Sequence, residues 1–396
     1  MRRLFLLGSV LALGAATGLS IHLVTAGGSS ARSGRVTLKH TRGAPRGALV
    51  LGRKLLGVGA APTMLAASAS APLVGNIGPV AAPSRDGRYI AYNTWRWTKT
   101  IDWQQSLSAQ GIHAGDPLGT PTLRIRDVRK RVESALEEGS MSVAWRSDGA
   151  VAYVRGIDPS YRANKPYLRE VVVRARIGAP PVVWSRSPEP YVVQGWAGRR
   201  LIVRRDVEGG SPDLLVFDAP RSARPLASHA ELLAISPSGS DVLVAESLSD
   251  TPDPAIRLVS VTDGREEGRI RLSEIVDPVS GGRLSLVVGL GNWRHDRVVV
   301  PSSSGLLVLH VSGGTLSVDQ VLHVDSATQP GGGFYEPRFT GDDEHTIVTW
   351  ADLPASSGKQ SAQFVCDRYA LTCTQGAPLS SSAAPRPIFD ESGGDQ

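Results

Sequence analysis

The sequence is poor in lysine, cysteine and methionine, and it contains no extended helical pattern. Only six of its 43 basic residues are Lys, so Arg carries most of the positive charge behind the net charge of +6. A high content of Arg, Ala and Gly is typical of a GC-rich bacterial genome. The basic residues are spread out, and the densest run, 124–131, lies in an alternating strand-and-turn pattern. A nucleic-acid partner is therefore not expected, and the missing helical spacing excludes helical fold classes.

The usual signatures of catalysis and metal binding are also missing. The sequence has no G-x-S-x-G, H-E-x-x-H, P-loop or dinucleotide-binding motif. Its eight His residues show no ligand spacing. His310 and His323 fall on adjacent predicted strands and would face each other, but we interpret them as ordinary sheet residues. Residues 341–344 lack the alternating oxygen ligands of a calcium loop, so we expect no metal and no other cofactor.

The N-terminus has the pattern of an export signal. Arg2 and Arg3 precede an apolar run, residues 4–26, which ends in the small residues expected at a cleavage site. The run is also long enough to span a bilayer, and the preceding positive charge would then leave the rest of the chain outside. Residues 1–26 are therefore predicted to be a signal peptide or a membrane anchor. In either case we expect the rest of the chain to be extracytoplasmic, either secreted or held on the outer side of the cytoplasmic membrane.

The two cysteines fit this compartment. Cys366 and Cys373 flank the six residues DRYALT, and the short runs on either side read as a hairpin. Cysteines on facing strands lie at about the separation that a disulfide needs. Because disulfides persist in exported proteins, we predict that Cys366 and Cys373 are bonded, with two free half-buried thiols as the alternative.

A short phrase recurs along the chain: an apolar stretch, a turn of Ser, Arg, Asp and Gly, and then an apolar strand. The clear copies read PSRDGRYIAY, WRSDGAVAYV and ISPSGSDVLVAE, and three further copies are degenerate. The six copies occupy residues 83–92, 145–154, 196–205, 235–246, 293–302 and 339–350. Their starts lie roughly 40 to 60 residues apart, a spacing typical of stacked repeat architectures.

Each copy supplies two strands, and the sequence after it supplies two more. Six such units over about residues 75–376 predict an all-β protein, a six-bladed β-propeller of four-stranded antiparallel blades. Seven blades remain an alternative, because three copies are degenerate. The propeller is predicted to span 75–378, after a mostly irregular linker, 27–74, and before a disordered C-terminal tail, 379–396.

The recurring turn has a mechanical reason and a known counterpart. Asp-Gly at 86–87 and at 148–149 supplies the positive φ that a tight turn requires. PSRDGRYIAY and WRSDGAVAYV resemble the TolB-like, WD-type propeller repeats of bacteria, and the resemblance covers about three-quarters of the chain. It implies a fold and little chemistry, because such propellers serve as protein-interaction platforms, solute-binding modules or, less often, enzymes.

One region departs from the repeat. The connection after the first copy, residues 94–121, is long and carries three of the eight Trp residues, and the corresponding connection of the second unit, 155–167, is also long and aromatic. Long connections are commonly functional, and Trp, Tyr and Arg anchor interfaces. A lid over the channel is the structural alternative. The candidate binding residues are Trp95, Arg96, Trp97, Trp103, His113, Asp116, Asp158, Tyr161, Arg162 and Tyr167.

These patterns favour an exported, non-catalytic propeller that binds a protein or a cell-envelope component. We expect a monomer that touches the membrane only through residues 4–26, if these are not cleaved. The alternative is an extracytoplasmic glycan-directed hydrolase or lyase that works at the channel mouth. Its acid and base candidates are Asp102, His113, Asp116 and Asp158.

Overall fold

The protein divides into two units, Met1–Ser30 and Ala31–Gln396, and every described residue belongs to the second. The computed structural model describes residues 31–40, 54–56, 64–67, 81–84, 88–100, 117–127, 129–130, 132–138, 140–156, 169–189, 191–207, 210–247, 250–284, 291–324, 334–340, 344–352, 360–376 and 379–380. None of these residues forms a helix long and apolar enough to cross a membrane. The predicted export signal, 1–26, lies outside the described residues.

The regular secondary structure of the described residues is β-strand, apart from one short 3₁₀ turn at Leu272–Glu274. The strands are β1 Gly34–Arg35, β2 Thr37–His40, β3 Lys54–Leu56, β4 Met64–Ala67, β5 Ala81–Pro83, β6 Tyr89–Thr100, β7 Pro117–Asp127, β8 Val132–Glu138, β9 Ser140–Trp145, β10 Val151–Gly156, β11 Arg169–Arg174, β12 Val182–Ser187, β13 Tyr191–Ala197, β14 Arg200–Arg205, β15 Asp213–Phe217, β16 Ala223–Ala227, β17 Ala230–Ile235, β18 Asp241–Glu246, β19 Ala255–Ser260, β20 Glu266–Arg271, β21 Asn292–Arg294, β22 Arg297–Ser302, β23 Gly305–Ser312, β24 Thr315–His323, β25 Phe334–Thr340, β26 Thr346–Asp352, β27 Gln360–Asp367, β28 Thr372–Gln375 and β29 Leu379–Ser380.

Consecutive strands pair into antiparallel sheets of four, as the repeat predicts. Within the described segments the sheets are β5–β8, β9–β12, β13–β16, β17–β20, β21–β24 and β25–β28, here called blades 1 to 6. The first strand of each blade contacts the first strand of the next, from β5 through to β25. This succession of radial sheets is the propeller arrangement. The fold class predicted from the sequence is confirmed, and the blade number of the complete ring stays a prediction.

The core lies between neighbouring blades. The middle strands are buried on both faces, so that Val151–Val154 in β10 and Leu201–Arg204 in β14 are buried without interruption. A strand covered on both faces reads as a continuous apolar run rather than as strict alternation. Trp184 of blade 2 and Trp196 of blade 3 meet edge to face across one of these interfaces, with ring centroids 5.7 Å apart.

The recurring turns have the backbone that the sequence predicts. In the second copy, Gly149 has φ +89°, and the Asp148 side chain accepts a hydrogen bond from the backbone N–H of Ala150. Two degenerate copies place a different residue in the left-handed region: His295 at φ +45° and Glu344 at φ +53°. The turn is therefore retained where the Asp-Gly signature has been lost.

Residues 31–40, here called the N-terminal strap, form two short strands within the range predicted to be a mostly irregular linker, 27–74. β1 pairs in parallel with β24 of blade 5, and β2 pairs in parallel with β28 of blade 6. Between them Val36 is 4% exposed and packs into the core of blades 5 and 6. The strap runs along the outer edges of two blades, because an edge strand leaves backbone donors and acceptors for another strand.

Two smaller pairings also differ from the predicted boundaries. β3 and β4 form a two-stranded sheet within the range expected to be a linker. β29 pairs with the start of β27, so the first two residues of the predicted tail are strand. The rest of the tail lies outside the described residues.

The predicted disulfide is confirmed. Cys366 of β27 and Cys373 of β28 are directly opposite each other in the ladder, with Cα atoms 3.9 Å apart, and they are bonded. Both are buried in the outer part of blade 6. The bond therefore ties together the two strands next to the N-terminal strap.

The two ends of each blade carry different types of connection. The turns that join first to second strands and third to fourth strands lie at one end, here called the turn face. The connections from second to third strands, and from one blade to the next, lie at the opposite end, here called the loop face. The connections 94–121 and 155–167 belong to the loop face.

Candidate functional site

The hairpin β6–β7 is the largest departure from the repeat on the loop face. β6 has 12 residues and β7 has 11, whereas the corresponding strands of blade 2 have six each. Six additional residues extend a strand by about 20 Å. The pairing continues to Thr100 opposite Pro117. Within the described residues, the hairpin of blade 1 therefore runs well beyond the strands of blade 2.

This observation corrects the interpretation of 94–121 as a connection without regular structure. Residues 94–100 and 117–121 are strand, and Trp95 lies opposite Pro121 while Trp97 lies opposite Gly119. Arg96 lies opposite Thr120. The segment TWRWTKT alternates Thr and Trp with basic residues, and these residue types favour strands, so the sequence did carry a signal for the extension.

The structure places three of the ten candidate binding residues, Trp95, Arg96 and Trp97, at neighbouring positions of β6. The remaining candidates, and one further acid proposed for the enzyme alternative, lie outside the described residues. They are Asp102, Trp103, His113, Asp116, Asp158, Tyr161, Arg162 and Tyr167.

A network of charged side chains joins blades 1 and 2 below these connections. Glu137, near the loop-face end of β8, accepts hydrogen bonds from the Tyr153 hydroxyl at 2.9 Å and from Arg174 Nη2 at 3.1 Å. Arg174 Nε also donates to the Tyr153 hydroxyl oxygen at 2.9 Å. Burial raises the pKa of Tyr153 to about 12, so the phenol stays protonated and serves as a donor. The three side chains connect the outer strand of blade 1 to the middle of blade 2.

The network continues to the strands that border the blade 2 connection. Arg155 Nη1 donates to Glu137 at 3.3 Å, and Arg155 Nε donates to Glu170 at 2.7 Å. Arg186 Nε donates to the other oxygen of Glu170 at 2.6 Å. Glu170 is 2% exposed, and a buried carboxylate requires such charge-assisted partners. The sequence analysis missed this network, because its members come from four separate strands.

This network provides a fixed base rather than a reactive centre. Both carboxylates, Glu137 and Glu170, are each held by two guanidinium groups. A carboxylate whose oxygens are occupied by charge-assisted hydrogen bonds suits a structural role. The network therefore holds blades 1 and 2 in register where their long connections leave the blades.

A carboxyl group of different character lies on the loop face between blades 3 and 4. Glu231, at the start of β17, is half-buried and faces the buried Arg204 of β14 at 3.4 Å. Burial raises the pKa of Glu231 above its ordinary value, and the Asp206 carboxylate acts in the same direction, against the attraction of Arg204. Perturbed carboxyl groups are frequent at functional sites. No sequence pattern indicates this carboxyl group, since ELLAI has the pattern of an ordinary strand.

The histidines have partners that the sequence pattern did not predict. His310 and His323 do not face each other: they pair with Ser317 and Gly305, at opposite ends of the β23–β24 ladder. His310 hydrogen-bonds to Asp296 at 3.0 Å, and His323 hydrogen-bonds to Asp277 at 2.6 Å. The two side chains therefore do not form a facing pair, and each has its own carboxylate partner, in agreement with their interpretation as ordinary sheet residues.

No group of three His, Cys, Asp or Glu side chains is placed to hold a metal ion within the described segments. Glu344, the one described residue of the sequence GDDE, is buried in a turn, is hydrogen-bonded to His295 at 2.8 Å and forms an ion pair with Arg297 at 3.1 Å. It therefore serves the packing of blade 6 against blade 5.

No known family model matches this sequence, and no curated protein matches it. Similar solved structures exist at low identity. The β-propeller domain of the trilobed protease from Pyrococcus furiosus is 10% identical, the match covers 87% of this chain and 97% of that domain, and the TM-score is 0.48.

Two further structures illustrate the range of similar proteins. An oligogalacturonate lyase from Vibrio parahaemolyticus is 11% identical over 79% of this chain and 82% of its own, with a TM-score of 0.49. A putative TolB from Agrobacterium tumefaciens is 14% identical over 66% of this chain and 89% of its own, with a TM-score of 0.39. The class of the fold rests on the protein's own sheets: the chain is a β-propeller of four-stranded antiparallel blades.

Proposed function

We propose that the protein is an exported, non-catalytic β-propeller that binds a protein or a cell-envelope component through its loop face. The binding surface is the hairpin β6–β7 together with the neighbouring connection of blade 2. The observation that carries this proposal is the extension of the hairpin by about 20 Å beyond the strands of blade 2. A blade needs no such extension for its own core.

The composition and the support of the hairpin agree with a binding role. Its described strands include Trp95, Arg96 and Trp97, and Trp and Arg contribute most to binding energy at interfaces. The ion-pair network around Glu137 and Glu170 fixes the two blades from which the connections emerge. A rigid base lowers the entropy lost when a surface binds its partner.

The disulfide supports an extracytoplasmic location. Cys366 and Cys373 are bonded and buried, and structural disulfides are characteristic of exported proteins. The predicted export signal at residues 1–26 points to the same compartment. Both observations support a partner that is itself outside the cytoplasm.

Glu231 favours a second candidate function, a glycan-directed hydrolase or lyase. Burial raises the pKa of Glu231, and a carboxyl group with a raised pKa is better suited to act as a general acid. Turnover of a glycan that is lost in Glu231→Gln but retained after changes to the hairpin would favour this candidate. Binding that is retained in Glu231→Gln and lost after changes to the hairpin would favour the binding module.

The test is co-sedimentation of the purified protein with cell walls and with membranes from the producing bacterium. We expect the double substitution Trp95→Ala and Trp97→Ala to reduce co-sedimentation with one of these fractions to the background level. The matched control is Val182→Ala, which changes an exposed apolar residue on the outer strand of blade 2. Equal binding by the wild type, the Trp variant and the control would overturn the assignment of the hairpin.

A further inference from the structure

We infer that blades 3 and 4 carry a separate ligand site on the turn face, and that this site takes a phosphorylated polyol or sugar. The site lies at the opposite end of the strands from the hairpin β6–β7, and it does not depend on the loop-face proposal. Four structural features support it: a cleft, a fixed floor, a surplus of guanidinium groups and a wall of hydroxyl groups.

The cleft opens between the first turns of blades 3 and 4. It has a volume of about 470 Å³ and is lined by the turn 197–200, the turn 238–240, Asp218 and Thr262. This volume falls in the range of sites for small molecules. It is larger than a single phosphate ion needs, and it leaves room for a further group beside a phosphate.

The floor of the cleft is formed by two glycine-containing turns in close contact with each other. Gly239 has φ +73°, and a Cβ atom at this position would lie 2.3 Å from the backbone nitrogen of Gly198. Gly198 itself has φ +62°. Only glycine fits at position 239, and the contact fixes the turn of blade 4 against the turn of blade 3.

One end of the cleft is cationic. Arg199 is exposed and forms no ion pair with any residue in the described ranges. Arg200 donates its Nε to Asp218 at 2.8 Å, which leaves the terminal nitrogens of its guanidinium for a ligand. Guanidinium groups bind phosphate oxygens through paired N–H donors.

The acidic residues near the cleft are each hydrogen-bonded to neighbouring groups. Hydrogen bonds from Arg200, and then from Arg224, hold the pKa of Asp218 below its ordinary value, so that two guanidinium groups offset its charge. Asp241 accepts a hydrogen bond from the Ser240 hydroxyl at 2.5 Å. Asp263 is bound within its own turn, where it accepts the backbone N–H of Arg265 at 3.2 Å.

The opposite wall is lined by hydroxyl groups. The Ser238 and Ser240 hydroxyl oxygens are 2.8 Å apart, and Thr262 is exposed at the rim. Hydroxyl groups can both donate and accept hydrogen bonds, which matches the hydroxyl groups of a polyol. With the phosphate on Arg199 and Arg200, the polyol would lie against this wall.

Isothermal titration calorimetry on the folded protein tests the site with three probes: glycerol 3-phosphate, inorganic phosphate and glycerol. We expect saturable binding of glycerol 3-phosphate, weaker binding of inorganic phosphate and no binding of glycerol. Arg199→Gln should weaken both anions about tenfold, because a charged hydrogen-bonding pair is lost. The matched control Arg176→Gln, another exposed Arg in a turn on the same face, should leave both affinities unchanged.

A second variant separates the two halves of the site. Thr262→Val should lower the affinity for glycerol 3-phosphate and leave that for inorganic phosphate unchanged. Poly(glycerol phosphate) that binds more tightly per chain than the monomer would assign the ligand to an envelope polymer, and equal affinity would assign it to a free metabolite. Equal losses in Arg199→Gln and Arg176→Gln, the absence of saturation, or equal affinity for inorganic phosphate and glycerol 3-phosphate would overturn the proposal.

Discussion

The N-terminal strap should contribute measurably to the stability of blades 5 and 6, and Val36 is its anchor. Val36 is 4% exposed and lies among the core residues of both blades. Its backbone N–H donates to the carbonyl of His323 at 2.7 Å, and the N–H of Thr37 donates to the carbonyl of Leu371 at 2.8 Å. The side chain therefore fixes a segment that bridges the outer edges of two blades.

The expected cost follows from the buried surface. Val36→Ala removes two methyl groups, at about 0.8 kcal/mol each, and leaves a small cavity, which gives about 2 kcal/mol in total. For an ordered unit of about 300 residues, this corresponds to a decrease in Tm of about 3 °C. Thr37→Ala is the matched control, since Thr37 is the exposed neighbour of similar size. Its Tm should change by less than about 1 °C.

A second substitution measures the docking itself. Val36→Asp would place an unpaired charge in the core, so the strap should leave its site rather than keep the charge buried. Hydrogen–deuterium exchange followed by mass spectrometry should then show fast exchange in residues 31–40 and unchanged protection in β13–β16 of blade 3. Equal Tm values for the Val36 and Thr37 variants, or a protected strap in Val36→Asp, would refute the assignment of the strap.

Three further results are expected from purified protein. Burial raises the pKa of Glu231, so the folded state favours the neutral form of this side chain. The resulting contribution to the free energy of unfolding is present below the unfolded pKa and is lost as the pH rises through the folded pKa. Glu231→Gln should therefore be at least as stable as the wild type at pH 7 in thermal unfolding, and a clear decrease in Tm would show that the ion pair dominates. Replacing both Cys366 and Cys373 with Ala should cost about 2.5 kcal/mol, because the closed loop is short, and the difference from the wild type should vanish under reducing conditions. Gly239→Ala should destabilise the fold by about 3 kcal/mol, because the added Cβ would clash with backbone atoms. Gly149 also has a positive φ, +89°, but a Cβ there would meet no atom within 4 Å, so Gly149→Ala should cost only about 1 kcal/mol. Equal Tm values for the two variants would contradict the close contact of the turns.

The blades could be predicted from the sequence because each strand pairs with the next strand along the chain. Each copy of the recurring phrase joins its first two strands through a turn of a few residues, and the next two strands follow in order. The disulfide was predictable for the same reason, since Cys366 and Cys373 are seven residues apart in one hairpin. Local turns and alternating strands leave a clear pattern in the sequence.

The N-terminal strap was not predictable, because its partners are remote. Residues 31–40 form strands of only two and four residues, and their parallel partners lie in β24 and β28, almost 300 residues or more further along the chain. Such short strands carry no periodicity of their own. The same holds for the pairing of Glu137 with Arg174, because local sequence does not determine the register of one blade against the next.

The sequence identified the exceptional connection but not its strand structure. The concentration of Trp residues marked 94–121 as the exceptional connection, and the structure shows that its two ends extend the hairpin β6–β7. The raised pKa of Glu231 had no signal at all, because it results from burial beside Arg204 after folding.

The central claim is that the hairpin β6–β7 binds a partner outside the cytoplasm. In-cell photo-cross-linking tests it most directly, with a photoreactive amino acid at position 97 in the hairpin and, for comparison, at position 182 on the exposed outer strand of blade 2. The account predicts a discrete cross-linked adduct from position 97 and none from position 182. No adduct from position 97, or the same adducts from both positions, would contradict it.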